Sequence, residues 1–287
     1  MVRISNIDTK GAEIYAKLER FNPFGSSKDR AALFMLKGAV ERGQISPGAT
    51  IIEPTSGNTG CALAALAGLY GMKAVIVMPE NMSKERIQLM KCYGAEVILT
   101  PQELGMKGAI AKAEQLKAET ENAFIPSQFD NPDNSLAHYS TTAAEIEEDF
   151  GDSLDRFVAG IGSGASLSGV ARYFREHGLK ARMVGYEPAA SPVITEGRAG
   201  RHRIPGTGAG FIPANFDASV VDEVVTVTDE EAAQYTRQLA RREGILAGLS
   251  SGAALAAAIK TSRPGEKVLA FMPDTGERYL SLDFWSE

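Results

Sequence analysis

The chain has 287 residues, of which 44% are hydrophobic and 23% charged, and this composition excludes a disordered or fibrous protein. Its formal net charge of -6 gives no overall attraction to nucleic acid or to an anionic membrane, so small-molecule chemistry is the better expectation. We find no secretory signal and no membrane-spanning run, and Cys61 and Cys92 lie in no metal-binding pattern. We therefore expect a cytoplasmic protein without a metal site and without nucleic-acid or membrane partners.

Strand-like and helix-like segments alternate along the first half of the chain. Short β-branched runs occupy residues 49–54, 73–79 and 95–100, and helical composition follows SGNTG and recurs at residues 83–94 and 106–120. Parallel strands need helical crossovers and are buried on both faces, which explains why these runs are almost continuously apolar. The alternation predicts βαβ units and an α/β fold.

A second α/β series begins near residue 150. Its predicted strands are RFVAGIG, ARMVGYEP, EVVTVT and EKVLAFMPD, and its predicted helices are SLSGVARYFREHG and DEEAAQYTRQLARREG. Between the two series lies FDNPDN, a turn-rich segment that predicts a domain boundary near residue 132. Residues 196–216 combine basic residues with Gly and Pro, and we expect a long loop there.

The segment GIGSGASLSG, residues 160–169, follows a predicted strand and opens a predicted helix. Backbone N–H groups at such a turn, together with the helix dipole, form a site suited to phosphate. Gly160, Gly162 and Ala165 also satisfy the dinucleotide pattern GxGxxG/A, and Glu187 ends the next strand where a ribose-binding acid belongs. This motif alone leaves a dinucleotide and another phosphate ligand equally open.

Lys28 lies in NPFGSSKDRAALFML, where Ser26 or Ser27 is a suitable cap for a helix that holds Lys28 in its first turn. A lysine is electrostatically misplaced there, because the helix dipole favours anions at that end. The residue is either a solvated lysine or an amine kept neutral, by the dipole and partial burial, for Schiff-base chemistry.

Three further motifs place small polar residues at helix starts or turns. EPTSGNTG, residues 53–60, has hydroxyls, amides and N–H groups suited to a carboxylate, and it lacks the GxxxxGK[ST] pattern of a Walker A loop. In GLSSGAAL, residues 248–255, SSG is suited to cap a helix. In MPDTGERYL, residues 272–280, DTG is suited to a turn.

Together with GTGAGFIP, these motifs resemble the cysteine synthase (O-acetylserine sulfhydrylase) family of pyridoxal-phosphate enzymes, in that family's order and approximate spacing over essentially the whole chain. The resemblance implies a tryptophan-synthase-β-like fold, with two doubly wound α/β domains and pyridoxal 5'-phosphate in the cleft between them. It places a smaller domain at residues 22–132 and a larger one at residues 1–21 and 133–287.

The resemblance also implies roles for individual residues. Lys28 carries the cofactor as a Schiff base, Asn58 contacts its phenolic oxygen, and Ser250 faces its pyridine nitrogen, with Ser251 as the adjacent alternative. The phosphate would be held by Gly162, Ser163, Gly164, Ala165 and Ser166. The substrate carboxylate would be bound by Thr55, Ser56, Gly57, Thr59 and Gln128.

The implied reaction is β-replacement on an activated serine. O-acetyl-L-serine would lose acetate through an aminoacrylate intermediate, sulfide would add to give L-cysteine, and Lys28 would take the α-proton. A neutral serine opposite the pyridine nitrogen favours elimination and replacement. The chain departs from the family pattern in two places. The family usually begins with a GNTPLV segment, whereas this chain begins at the VRI that follows it, and Ala165 stands where the family often has glycine. We expect the cofactor still to bind.

Several alternatives stay open on the sequence alone. Arg201, His202 and Arg203 could serve a phosphorylated serine or form only a solvated basic loop. O-phosphoserine sulfhydrylase, cystathionine β-synthase-like and cysteine desulfhydrase activities are alternatives within the family. An NAD-linked oxidoreductase and a non-catalytic paralogue are alternatives outside it. The resemblance further implies a homodimer and docking of serine acetyltransferase.

Overall fold

The computed structural model describes residues 1–286, and in that range the chain forms ten strands and ten α-helices. The strands are β1 (Val2–Arg3), β2 (Glu13–Leu18), β3 (Thr50–Pro54), β4 (Lys73–Pro79), β5 (Glu96–Thr100), β6 (Ala123–Phe124), β7 (Arg156–Gly160), β8 (Arg182–Pro188), β9 (Glu223–Val227) and β10 (Lys267–Met272).

The helices differ widely in length, and none in the described range is long and apolar enough to cross a membrane. They are α1 (Lys28–Glu41), α2 (Asn58–Leu69), α3 (Lys84–Cys92), α4 (Gly105–Glu119), α5 (Pro132–Ala137), α6 (Ala144–Phe150), α7 (Ala165–Glu176), α8 (Val193–Glu196), α9 (Asp229–Glu243) and α10 (Leu249–Thr261). A π-helix, His138–Ala143, joins α5 to α6.

The chain divides into two compact units, residues 28–134 and residues 1–27 with 135–287. The sequence-based division places the smaller domain at residues 22–132, and that assignment of domains stays a prediction. Each unit has its own sheet and its own apolar core.

The unit formed by residues 28–134 has a four-stranded parallel sheet in the order β5-β4-β3-β6. Ile52 and Val77 pack with Ala109 and Ala113 of α4 on one face. Ile76, the neighbour of Val77 in β4, points to the opposite face, where it lies against α2. Helices therefore cover both faces, and this burial is why the strands are nearly continuously apolar.

The other unit has a six-stranded sheet in the order β1-β2-β10-β7-β8-β9, in which only the β1–β2 pair is antiparallel. Alternate residues of β10 enter two different cores. Val268 and Ala270 pack in the core that includes α9 and α10, whereas Leu269 and Phe271 pack in the core that includes α7. These two sheets, parallel except for the β1–β2 pair and covered by helices, confirm the predicted α/β fold class.

Two parts of the sequence interpretation need correction. β2 was overlooked, although EIYAKL pairs along its whole length with β10. The FDNPDN segment is a turn at Phe129 and Asp130, as predicted, but from Pro132 onward it is helical; Pro132 occupies the first position of α5, where its missing N–H costs nothing. Asn131 Oδ1 accepts the Asp133 N–H at 3.0 Å and so caps this helix.

Candidate functional site

The connection between β3 and α2 holds the predicted carboxylate-binding loop. α2 begins at Asn58, and its N-cap, Gly57, has no side chain to occupy the first N–H groups of the helix. The Gly57 N–H donates to Thr55 Oγ1 at 3.3 Å, and Arg86 donates to the Ser56 carbonyl at 3.2 Å. The positive end of the helix dipole therefore faces a loop of hydroxyls and peptide groups, an environment that suits a carboxylate.

Gln128 follows β6 and reaches the same connection. Thr59 Oγ1 donates to Gln128 Oε1 at 2.6 Å, and both side chains are buried. Asn134 Nδ2 donates to the Gln128 carbonyl at 2.7 Å. The structure thus brings together two predicted carboxylate-binding residues that are 69 positions apart in the sequence.

Lys28 is the first residue of α1, and its side chain is half-buried. It belongs to the same unit as Asn58 and Thr59. At this end of the helix the dipole disfavours a positive charge, so the position suits an amine that must act as a nucleophile.

Glu53 is a buried carboxylate that the sequence interpretation passed over. It lies in β3 and is 2% exposed. It accepts the backbone N–H of Ser127 at 3.1 Å and that of Gln128 at 3.3 Å. Burial raises the pKa of Glu53 to about 7, against the opposing effect of these two hydrogen bonds. A charged residue inside an otherwise apolar parallel strand is the signal that could have revealed it.

The predicted phosphate loop connects β7 to α7 in the other unit. Gly164, the N-cap of α7, has a φ of 78°, and a Cβ at this position would overlap Phe216. Gly164 has no side chain that could cap the first turn of α7, and Ser163 Oγ accepts a long 3.5 Å bond from the Ala165 N–H. The backbone N–H groups, with the hydroxyls of Ser163 and Ser166, form a donor set that suits phosphate.

The predicted long loop packs against the phosphate loop. A Cβ at Gly162 would overlap the carbonyl oxygen of Gly206, and the Gly208 N–H donates to the Ile161 carbonyl at 2.9 Å. The His202 ring lies with Nε2 3.1 Å from the Gly208 carbonyl oxygen. The glycine at 162 therefore allows a close approach of the two backbones.

His138 is a second residue that the sequence interpretation missed. It is fully buried in the π-helix, with Nδ1 2.9 Å from Thr142 Oγ1 and Nε2 3.0 Å from Ser166 Oγ. The ring therefore links the π-helix to a hydroxyl of the phosphate loop. No local pattern in AHYSTTA indicates this contact, because it joins residues 28 positions apart.

Ser250 lies in the first turn of α10 and is buried. Its carbonyl accepts a hydrogen bond from Tyr186 Oη at 2.6 Å, which fixes the backbone at this point. Ser251 Oγ is a buried hydroxyl with no hydrogen-bond partner in the described part of the chain. The pair supplies neutral hydroxyl groups at a helix start, as the sequence predicts.

Glu187 is not available as a ribose-binding acid. Its carboxylate is buried and accepts the backbone N–H of Ile194 at 2.8 Å and that of Thr195 at 2.9 Å. The Thr195 hydroxyl donates to the same carboxylate at 2.7 Å. The dinucleotide interpretation of GIGSGA loses its acidic partner, because both oxygens of Glu187 are engaged within the fold.

Comparison with known proteins confirms the resemblance to pyridoxal-phosphate enzymes along nearly the whole chain. A family model described as "Pyridoxal-phosphate dependent enzyme" matches residues 1–274. A probable cysteine synthase of Bacillus subtilis is 48% identical over 293 aligned residues, which cover 100% of this chain and 94% of that protein.

Two solved structures are similar to the fold. A hydrogen sulfide-producing enzyme of Fusobacterium nucleatum has a TM-score of 0.92 at 44% identity, covering 97% of this chain and 94% of its own. A cysteine synthase of Entamoeba histolytica has a TM-score of 0.94 at 38% identity, covering 100% of this chain and 87% of its own.

The residues present fit a phosphorylated pyridine cofactor. An amine stands at the start of α1, an uncapped glycine-rich helix start offers donors for phosphate, and buried serine hydroxyls occupy the start of α10.

Proposed function

Because the chain belongs to the family of pyridoxal-phosphate-dependent enzymes, and within it to the cysteine synthases, we propose that it joins sulfide to the β-carbon of O-acetyl-L-serine and so makes L-cysteine and acetate. The observation that supports this most directly is the 2.6 Å hydrogen bond between Thr59 and Gln128. It joins two separate segments, each expected to bind a substrate carboxylate, at the start of α2. An amino-acid substrate needs such a site to be oriented.

Lys28 is the proposed anchor of the cofactor, which it would hold covalently at rest. Bound pyridoxal phosphate withdraws electrons from the substrate Cα and so makes its proton acidic. The Lys28 amine would take that proton as a general base. Its position at the start of α1 disfavours the charged ammonium and so favours the base form.

The remaining residues orient the reactants. Asn58 is proposed to contact the phenolic oxygen of the cofactor, and Ser250 to face its pyridine nitrogen with a neutral hydroxyl. The phosphate would be held by the loop from Gly162 to Ser166. Thr55, Ser56 and Gly57, with Thr59 and Gln128, would bind the substrate carboxylate.

Absorbance spectroscopy and peptide mapping test the proposal. Purified protein should absorb visible light, and borohydride should bleach it and fix the cofactor on the peptide that contains Lys28. Lys28→Ala should abolish cysteine formation from O-acetylserine and sulfide, whereas Lys37→Ala, an exposed position in the same helix, should not. A colourless protein that binds a nicotinamide dinucleotide would refute the proposal, and a coloured protein without turnover would indicate a non-catalytic paralogue.

The choice of donor is a separate proposal. We infer that O-acetylserine is preferred over O-phosphoserine, because the side chains of Arg201 and Arg203 are exposed and the Arg203 N–H is bound to Asp229. Rates with O-acetylserine, O-phosphoserine and cysteine should be compared for the wild type and for Arg201→Ala/Arg203→Ala. A loss confined to the phosphorylated donor would show that the basic loop serves that substrate instead.

We also propose a cytoplasmic homodimer that binds serine acetyltransferase, on the basis of the similarity to cysteine synthases. Analytical ultracentrifugation should give twice the chain mass of 30.6 kDa. A peptide with the C-terminal sequence of a serine acetyltransferase should compete with O-acetylserine for binding.

A further inference from the structure

Glu53 is buried at a place where a charge is costly. It occupies β3 in register with Ile76 of β4, and the residues before it in the strand, Ile51 and Ile52, are fully buried. Burial of an ionisable side chain without compensating partners strongly destabilises a fold. A carboxylate at this position therefore needs hydrogen-bond donors for its two oxygens.

Those partners are two adjacent peptide groups. Ser127 N–H donates to Glu53 Oε2 at 3.1 Å, and Gln128 N–H donates to Glu53 Oε1 at 3.3 Å. Two converging donors need an acceptor with two oxygens, whereas a glutamine would turn its own NH₂ group toward one of them. Ser127 has a φ of 56°, a left-handed conformation that a non-glycine residue adopts at a cost and that its surroundings must hold.

Gln128 is fixed at three points. Its N–H is bound by Glu53, its carbonyl by Asn134 at 2.7 Å, and its side-chain oxygen by Thr59 at 2.6 Å. Because Thr59 donates to Oε1, the orientation of the amide is set, with its NH₂ group on the other side. Of the three contacts, Glu53 is the one made by a charged group.

We propose that Glu53 is a positioning residue: its carboxylate fixes the backbone at Ser127 and Gln128 and thereby holds the Gln128 amide in the orientation that binds the substrate carboxylate. This inference rests on the proposed function, in which Gln128 contacts the substrate. Glu53 itself is buried beneath the loop and acts through Gln128. Its loss should therefore weaken substrate binding more than it slows the chemical steps.

Glu187 provides a matched control within the same chain. It too is a buried glutamate near the end of a parallel strand, and it too accepts two adjacent backbone N–H groups, those of Ile194 and Thr195. The segment that it holds, α8, contains none of the residues expected to bind cofactor or substrate. Glu187→Gln therefore makes the same chemical change without touching Gln128.

Hydrogen–deuterium exchange tests the contact without any assay of activity. In Glu53→Gln, peptides that cover residues 126–131 should exchange about tenfold faster, the effect of losing one buried hydrogen bond. Peptides that cover residues 193–197 should be unchanged. Glu187→Gln should give the reverse pattern. Unchanged protection of residues 126–131 in a folded Glu53→Gln protein would overturn the proposal. If that variant does not fold, Glu53→Asp, which keeps the charge but shortens the reach, is compared in the same way.

A double-mutant cycle tests the consequence for binding. Above pH 7, Glu53→Gln should raise the KM for O-acetylserine about tenfold and change kcat much less, as should Gln128→Ala. Glu187→Gln should leave KM unchanged. The double variant Glu53→Gln/Gln128→Ala should bind no worse than Gln128→Ala, because Glu53 acts only through Gln128.

Two outcomes of this cycle contradict the inference. If Glu53→Gln raised KM equally in the wild type and in Gln128→Ala, Glu53 would be a purely structural residue. If Gln128→Ala left KM unchanged, Gln128 would not bind the substrate and Glu53 would have no binding residue to position. A wild-type protein that forms no cysteine would instead refute the proposed function, and the exchange experiment alone would then decide whether Glu53 holds Gln128.

Discussion

At the scale of single residues, Glu53 shows how burial and hydrogen bonding oppose each other. Removal from water raises its pKa, the hydrogen bonds from Gln128 and Ser127 lower it, and the negative charge of Asp130 raises it, so that the net pKa is about 7. The ordinary pKa of a glutamate, which applies to the unfolded chain, is 4.5. The folded protein therefore binds a proton at Glu53 more readily than the unfolded chain does.

This pKa shift predicts how stability depends on pH. Between pH 4.5 and 7 the folded state holds more protons at Glu53 than the unfolded state, so the contribution of this group to stability falls as the pH rises. Glu53→Gln removes this titration. The free energy of unfolding of the variant, minus that of the wild type, should therefore increase by about 3 kcal/mol in total as the pH rises from 4.5 to 7. Urea unfolding at a series of pH values measures the difference, and a difference that does not change with pH would contradict the shift.

At the scale of elements, the turn into α7 depends on one glycine. Gly164 combines a φ of 78° with a close approach to Phe216, so that a side chain there is opposed twice, by the backbone conformation and by the neighbour. Gly178, just beyond the end of α7, has a similar φ of 71° but nothing within 4 Å of a Cβ.

These two glycines give a matched pair of variants. Gly178→Ala should cost only the left-handed conformation, about 1 kcal/mol, and should leave cofactor content unchanged. Gly164→Ala adds the overlap with Phe216, for a total of about 2–4 kcal/mol, and should distort the donors of the phosphate loop. Bound pyridoxal phosphate per chain after dialysis measures the second effect. Equal cofactor content in both variants would argue against a phosphate site at the start of α7.

At the scale of the whole molecule, the chain forms two units, each with its own sheet and apolar core. A ligand that binds the folded state and not the unfolded chain stabilises the fold by mass action.

Cofactor removal should therefore lower the stability of the whole chain. Apoprotein prepared with hydroxylamine should unfold at a lower denaturant concentration, and free pyridoxal phosphate at 100 times its Kd should restore about 2.7 kcal/mol. At the same cofactor concentration, Lys28→Ala should show a smaller gain in stability than the wild type, because it keeps the phosphate contacts but loses the covalent bond. A midpoint that does not respond to added cofactor would contradict a site formed by folded elements.

The sequence by itself determined the α/β class, most of the strand and helix positions and the motifs that resemble cysteine synthases. Hydrophobic periodicity, glycine-rich turns and helix starts are local properties, so they can be identified before the fold is known. The strand predicted at residues 73–79 coincides with β4. The helix predicted after SGNTG begins within that motif, at Asn58, and the helix predicted from Ser166 begins one residue earlier, at Ala165.

Only the tertiary structure decided which side chains meet. Glu53 and Gln128 are 75 positions apart, and their hydrogen bond exists because the segment after β6 passes beside β3. Likewise, Glu187 matches a ribose-binding acid by sequence position, yet the fold occupies its carboxylate with the N–H groups of α8. The sequence predicts that a helix starts near Lys28. The buried contacts around the carboxylate loop, in contrast, depend on chain segments that are distant in sequence and carry no local pattern.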